Sequence, residues 1–194
     1  MRKDLITQDN ALINASYNLD LAEKRLILLA IAKSRKVGQA INSYESINIH
    51  ASEYADSFKV ERQASYWALM SASESLFKRY FIYKKINKNN NEVIYKSRWI
   101  SRINYVNKES IVEVIFAPDV IPFISQLEKC FTSYFLEDIA GLTSIYAIRL
   151  YELIIAWKSS HQTPVFEIKD FREKLGIGEF EYQAMNDFKK RVLN

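Results

Sequence analysis

Residues 165–194 read VFEIKDFREKLGIGEFEYQAMNDFKKRVLN, and the spacing inside this stretch decides how the chain is organised. Val165, Phe166 and Ile168 predict a short strand, residues 170–175 a short helix, and a second helix carries Lys189, Lys190 and Arg191. Phe171 and Leu175 stand four apart on one helical face, and Gly176 suits the left-handed position just past a helix C-terminus. Tyr182, Met185, Phe188 and Val192 recur at steps of three and four, which makes one continuous apolar stripe. Two helices joined by so tight a turn have helix-turn-helix geometry, with the second helix free to enter a DNA major groove. The same spacing fits a helical hairpin buried in a core. The residues upstream favour the DNA reading.

Upstream, the pattern occurs a second time. LILLAIAK at 26–33 stands against YELIIAWK at 151–158, Tyr54, Phe58 and Val60 have the spacing of Phe171, Leu175 and Ile177, and Tyr66 and Leu69 match Tyr182 and Met185. Asp20 with Glu23 predicts a capping box that opens a helix over 21–36. The middle of that helix, 26–31, is apolar on every face and should be buried from several sides. A polar loop over 39–46, a strand at Ile47 and Ile49 and a helix over 51–58 follow. A long helix over 61–80 comes next, its buried stripe expected at Ala64, Trp67, Ala68, Ala72 and Leu76. Phe81, Tyr83 and Ile86 then predict a strand, Lys88-Asn89-Asn90-Asn91 a turn, and 93–105 a return strand with Trp99 and Ile103 inward. Residues 111–116 make a third strand, and Pro118 opens a helix to about Lys129.

Both halves therefore run helix, strand, helix, turn, helix, and a basic two-stranded hairpin follows in the first. That order is a winged helix with the hairpin as its wing. The expected fold class is α+β: tandem winged helices, the first complete and the second truncated before its wing. The first would occupy residues 1–130, a connection 131–141, and the second 142–194. An amphipathic helix over 145–158, with Thr143 or Ser144 as its N-cap, carries more apolar surface than a small domain buries. It is expected to pack on the N-terminal helices.

The chain has 194 residues, nearly half of them apolar and a quarter charged, which is a globular composition. Its single cysteine, Cys130, fits a reducing cytoplasm and excludes an internal disulfide framework. No secretory core follows Met1-Arg2-Lys3-Asp4, and the longest apolar run, 26–32, is too short to span a bilayer. The total charge of +4 implies no particular partner, but it is unevenly placed. Residues 78–108 hold nine Lys or Arg against the single acid Glu92, a local net charge of +8, which leaves −4 for the remainder.

No catalytic constellation emerges, and the expectation is a protein that is not an enzyme and uses no cofactor or metal. His50 and His161 lie in different halves, and Cys130 has no Cys or His neighbour. Gly176-x-Gly178 ends a helix and opens none, so it is a turn and no phosphate loop. Twelve tyrosines raise the possibility of a nicking enzyme with a tyrosine nucleophile. That chemistry needs a metal, and the sequence lacks the paired histidines to hold one. The basic hairpin is the better candidate: Lys78, Arg79, Lys84, Lys85, Arg98 and Arg102 interleave with Tyr83 and Trp99, a pattern that attracts a phosphate backbone. A solvated hairpin whose lysines prevent edge pairing is the plainer account of the same residues. On the last helix, Lys189, Lys190 and Arg191 are a second basic candidate; three consecutive helical residues cover about 300°, so not all can face one groove, and Lys190 and Arg191 flank Gln183, Asn186 and Asp187 on the polar side.

Several segments together resemble one family, the winged-helix replication initiator (Rep) proteins of iteron-containing, theta-replicating plasmids. Leu142-Thr-Ser-Ile-Tyr-Ala-Ile-Arg-Leu-Tyr-Glu-Leu-Ile-Ile-Ala-Trp157 resembles the helix that opens that family's second domain. Asn10-Ala-Leu-Ile-Asn-Ala15 with Leu21-x-Glu23-x-Arg25-Leu26 resembles its N-terminal signature. Phe188-Lys-Lys-Arg-Val192 resembles the core of its DNA-reading helix, and Ile115-Phe-Ala-Pro118 the strand-to-helix step that closes its first domain. The chain is similar as well to initiators of small circular replicons from animal samples. The resemblance implies double-stranded origin DNA, a homodimer and host replication proteins as partners, in a bacterial cytoplasm. It implies that the first winged helix serves dimerisation and backbone contacts. Gln183, Asn186, Lys189, Lys190 and Arg191 would read iterons, and dimers would act as repressors. Family members continue beyond the point where this sequence stops. A transcriptional repressor built from the same winged helices, binding an operator, is the alternative.

Overall fold

The computed structural model describes residues 4–15, 17–37, 40–125, 127 and 130–193. Strand β1 (Leu5–Asp9) ends at Asp9, whose carboxylate accepts from the Ala11 N–H at 2.6 Å and caps the single turn α1 (Asn10–Ile13). The expected capping box then opens α2 (Leu21–Val37): the Glu23 N–H donates to Asp20 Oδ1 at 2.7 Å and the Asp20 N–H to Glu23 Oε2 at 2.6 Å. Residues 26–32 are all buried, so this helix runs through the middle of the core.

Strand β2 (Ile47–His50) leads into α3 (Ala51–Phe58), and Lys59, at φ 52°, turns the chain towards α4 (Arg62–Lys78). The buried face of α4 differs from the expected stripe. Ser65, Leu69, Ala72, Ser73 and Leu76 face inward, Ala64 is exposed, and Trp67 is 71% exposed. Ser65 and Ser73 donate their hydroxyls to the carbonyls of Arg62 and Met70, each at 2.7 Å, so both can be buried without an orphan group. An apolar periodicity cannot register that, and the helix is rolled accordingly.

Strands β3 (Tyr80–Ile86), β4 (Glu92–Arg98), β5 (Ile100–Val106) and β6 (Ile111–Phe116) follow. The single return strand expected over 93–105 breaks at Trp99. β4 pairs antiparallel with β3, while β5 joins β6, whose other side pairs with β2. Trp99 is fully buried at this corner, between Tyr17 and Phe81, each ring centroid 5.0 Å away. Seating so large a side chain in the core fixes where the strand must change sheets.

Helix α5 (Ile121–Ile124) is one turn long, shorter than the helix expected from Pro118 to Lys129. Pro118 lies in the turn before it, and Ser125 leaves the helix in extended backbone, its hydroxyl accepting from the Ile41 N–H at 3.2 Å. Residues 126, 128 and 129 of that expectation lie outside the described residues. The stretch read as a connection holds β7 (Phe131–Phe135) and α6 (Leu136–Ala140). β7 pairs with β1, from Leu5 opposite Phe135 to Asp9 opposite Phe131, and so ties the start of the chain to its middle.

Helix α7 (Ile145–Ile155) stops before the expected Lys158, which begins a short 3₁₀ turn. Ile148 lies in the same core as residues 26–32 of α2, as the apolar excess of both helices predicts. No strand forms at 165–168. Residues 162–167 are irregular, Val165 is fully exposed, and Ile168 opens α8 (Ile168–Lys174). A strand needs a neighbour for its N–H and C=O groups, and none of the residues described from 162 to 193 is in a strand.

The expected left-handed residue is Gly176, at φ 81°. Its N–H bonds to Glu173 O and the Ile177 N–H to Arg172 O, both at 3.0 Å, a Schellman ending. The first half ends α3 with the same long-loop bond, from the Val60 N–H to Ala55 O at 3.1 Å. The sequence repeat is thus a repeat of backbone geometry. Helix α9 (Met185–Phe188) runs on into a π-helical turn, Lys189–Leu193. Tyr182 precedes α9 in a left-handed turn and Met185 is 48% exposed, so the expected single stripe is not one helical face. Tyr182, Phe188 and Val192 nevertheless meet Ile13, Leu153, Leu175 and Ile177 in a second, smaller core.

Candidate nucleic-acid interface

The β3–β4 hairpin has two chemically distinct faces because strand side chains alternate. Phe81 and Tyr83 turn inward onto Trp99 and Phe123. Tyr80, Ile82, Lys84 and Ile86 lie outward, opposite Arg98, Lys96, Ile94 and Glu92 in register, and all eight are exposed. Lys84, Lys96 and Arg98 therefore share one open face. Lys84 pairs with Glu92 at 2.9 Å, Lys96 sits 3.7 Å above the Tyr80 ring, and Arg98 donates to Phe77 O at 2.8 Å. Such exposed interactions contribute little and leave the cations available.

The other residues proposed from the basic segment fall in different places. Lys78 is exposed at the end of α4. Arg79 is half-buried and its Nε donates to the buried Glu23 carboxylate at 3.0 Å, which ties the wing's base to α2. Lys85 lies on the inward face, its ammonium 5.2 Å from the Tyr83 ring and 5.8 Å from that of Phe123. Arg102 is exposed, but on β5 in the other sheet. In the second half, Gln183, Asn186, Lys189, Lys190 and Arg191 are all exposed. Gln183 precedes α9, Asn186 is on it, and the three cations lie in the π-helical turn. Arg172 braces this unit from α8, donating to Tyr182 O at 2.9 Å and to Glu181 O, with its guanidinium over the Phe188 ring.

Where β1, α2, β7 and α7 meet lies a buried polar cluster that the sequence reading did not single out. Glu152 accepts from Gln8 Nε2 at 2.9 Å and Tyr134 Oη at 2.7 Å, and pairs with Lys24 at 2.7 Å and Arg149 at 3.2 Å. The Tyr17 hydroxyl bonds Lys24 at 3.2 Å and Arg149 at 2.5 Å. One signal was present: in the repeat that sets 26–33 against 151–158, Lys24 and Arg149 occupy the same place, each a cation on an otherwise apolar face. The two equivalent cations share one carboxylate. Burial works to raise the Glu152 pKa, but Lys24 and Arg149 outweigh it and hold the group below its usual value.

Burial also pushes up several tyrosines that a nicking reading could draw on. It does so for Tyr134, with the Glu152 charge adding to the effect. Tyr146 is raised to about 12 by burial and by Tyr182, and Tyr151 to about 12 by burial and by Asp138. An activated phenolate nucleophile needs the opposite shift. Among the described residues, no group of three or more His, Cys, Asp or Glu side chains is placed to hold a metal ion, and no helix is long and apolar enough to cross a membrane.

Residues 5–155 match the family described as Initiator Replication protein, WH1, and residues 167–194 match Initiator Rep protein, WH2. The crystal structure of the WH1 domain of MSBI1.176, a replication protein isolated from a multiple sclerosis patient, is 43% identical. The match covers 69% of this chain and 94% of that one, with a TM-score of 0.54. The Pi initiator protein, solved in complex with iteron DNA, is similar in fold over 100% of this chain and 84% of its own, with a TM-score of 0.78 at 23% identity. An uncharacterized 27.6 kDa protein of Escherichia coli is 24% identical over 169 residues, 82% of this chain and 69% of that protein.

Proposed function

The chain belongs to the initiator replication protein family, with its WH1 unit at 5–155 and its WH2 unit at 167–194, and from that premise we propose that it starts plasmid replication by binding repeated origin sequences on double-stranded DNA. The observation that carries this reading is the exposure of two basic faces, Lys84, Lys96 and Arg98 on the hairpin and Lys189, Lys190 and Arg191 beyond α9. Gln183 and Asn186 supply amides suited to base edges beside the second face. Arg79 and Lys85 are lesser contributors, since both are engaged within the fold, while Lys78 and Arg102 are exposed but stand apart from the hairpin's open face. The reading extends to a homodimer that represses initiation, to host replication proteins as partners and to a bacterial cytoplasm. The first winged helix would serve dimerisation and backbone contact.

Footprinting on the replicon that encodes the chain tests the reading. Protection of tandem direct repeats beside an A·T-rich stretch is expected, and protection of a lone inverted repeat would make the protein an operator-binding repressor. The hairpin is tested by replacing Lys84, Lys96 and Arg98 with Ala. The log–log salt slope should fall by up to about 0.9 for each cation–phosphate pairing removed, with affinity reduced alike on all sequences. An unchanged slope would remove the hairpin from the interface.

A further inference from the structure

Arg149 reaches beyond its ion pair. Its Nε and Nη2 donate to Lys174 O, at 3.0 and 2.5 Å, and Nη2 donates also to Ile13 O at 2.9 Å and Ala15 O at 3.1 Å. Lys174 O is one of the last-turn carbonyls that α8 itself cannot satisfy, so the guanidinium caps the first helix of the second helix-turn-helix from α7. Tyr17 works from the other side. Its carbonyl lies where a Cβ on Gly176 would stand only 2.6 Å away, so the turn after α8 packs directly against it. Its ring meets Trp99, the corner residue of the wing, edge-on at 5.0 Å. Tyr17 thus touches the wing's corner on one side and the turn of the second unit on the other.

We propose that Arg149 and Tyr17 are positioning residues that hold the α8–α9 unit in fixed register against the α4–wing unit, so that the two basic faces meet one DNA duplex as a rigid pair. The DNA half of this statement rests on the function proposed above, whereas the register belongs to the free protein. The planar fork of an arginine serves the Ile13, Ala15 and Lys174 carbonyls together, which the point charge of a lysine cannot do. The shared carboxylate acts in the same direction. If α7 parted from α2, Glu152 would keep Arg149 on its own helix while Lys24, on α2, would lose its counterion.

The test uses the full chain with Cys130→Ser, spin labels on cysteines placed at the exposed Ser71 of α4 and Asp187 of α9, and distances from double electron–electron resonance. The parent chain should give one narrow distribution. R149K keeps the charge and loses the fork, so its distribution should broaden by at least roughly twofold while circular dichroism shows the helices retained. Should R149K fail to fold, Y17F carries the same test, because it removes one hydroxyl and leaves the ring on Trp99. A role confined to the stability of the second half would lower the melting temperature without widening the distance distribution, and that result overturns the proposal. A parent-like distribution in the folded variants overturns it too, as does a broad one in the parent. A narrow distribution in a chain that leaves no footprint would sink the DNA reading and leave the register standing.

Discussion

Glu152 is fully buried, with Lys24 and Arg149 at its two oxygens and its pKa held below the usual carboxylate value. The folded pKa is the lower one, so on acidification the unfolded chain takes up the proton first. The stabilisation from this site is complete above the unfolded value, near pH 4.3, and is lost as pH falls through the folded value. E152Q should therefore lower the unfolding free energy at pH 7 by about 3–5 kcal/mol, since it leaves two buried cations without their acid. Urea unfolding across a pH series should show the gap to the parent closing below about pH 4. A gap independent of pH would mean that the carboxylate is not the charged partner. Gly176 shows how far a single residue is legible. Its left-handed turn follows from residue type and position, while the approach of Tyr17 that excludes a Cβ comes from a segment more than 150 residues earlier.

At the scale of elements, α4 separates pattern from packing. Its helix is legible in the sequence and its buried face is not, because two serines that bond to their own helix displaced the expected apolar stripe. W67A should then change stability by no more than about 0.5 kcal/mol. L69A, at a fully buried position, should cost about 2–5 kcal/mol. Thermal melts of the two variants decide the matter, and a large loss from W67A would restore the first stripe. The return strand was likewise legible as a strand. Its break at Trp99 depends on which neighbours each part finds, β3 for one and β6 for the other. The wing's candidate cations were visible as a charge run. Only the register divides them into Lys84, Lys96 and Arg98 on the open face and Lys85 on the aromatic one.

For the whole molecule, two cores of unequal size share one chain. The larger takes in α2, the sheets of the first half and Ile148 of α7, and the smaller gathers around Leu153, Leu175, Ile177 and Phe188. Val165, Ile168, Phe180 and Met185 remain exposed around the smaller one. Amides over 162–193 should exchange with solvent well before those of α2, because exchange follows the local free energy of opening. Uniform protection in a hydrogen-exchange experiment would contradict this. The repeated helix, turn, helix order, the caps at Asp20 and Glu23, the left-handed turn and the location of the basic segment all follow from local residue patterns. Each of these is set by residues within a few positions of one another. Long-range packing sets the rest: β1 pairs with β7, 165–168 stays out of any strand, and Lys24 and Arg149 close on one carboxylate. Those outcomes depend on groups far apart in the chain finding each other, and a buried charge or an unpaired strand has no stable place until its partner is there.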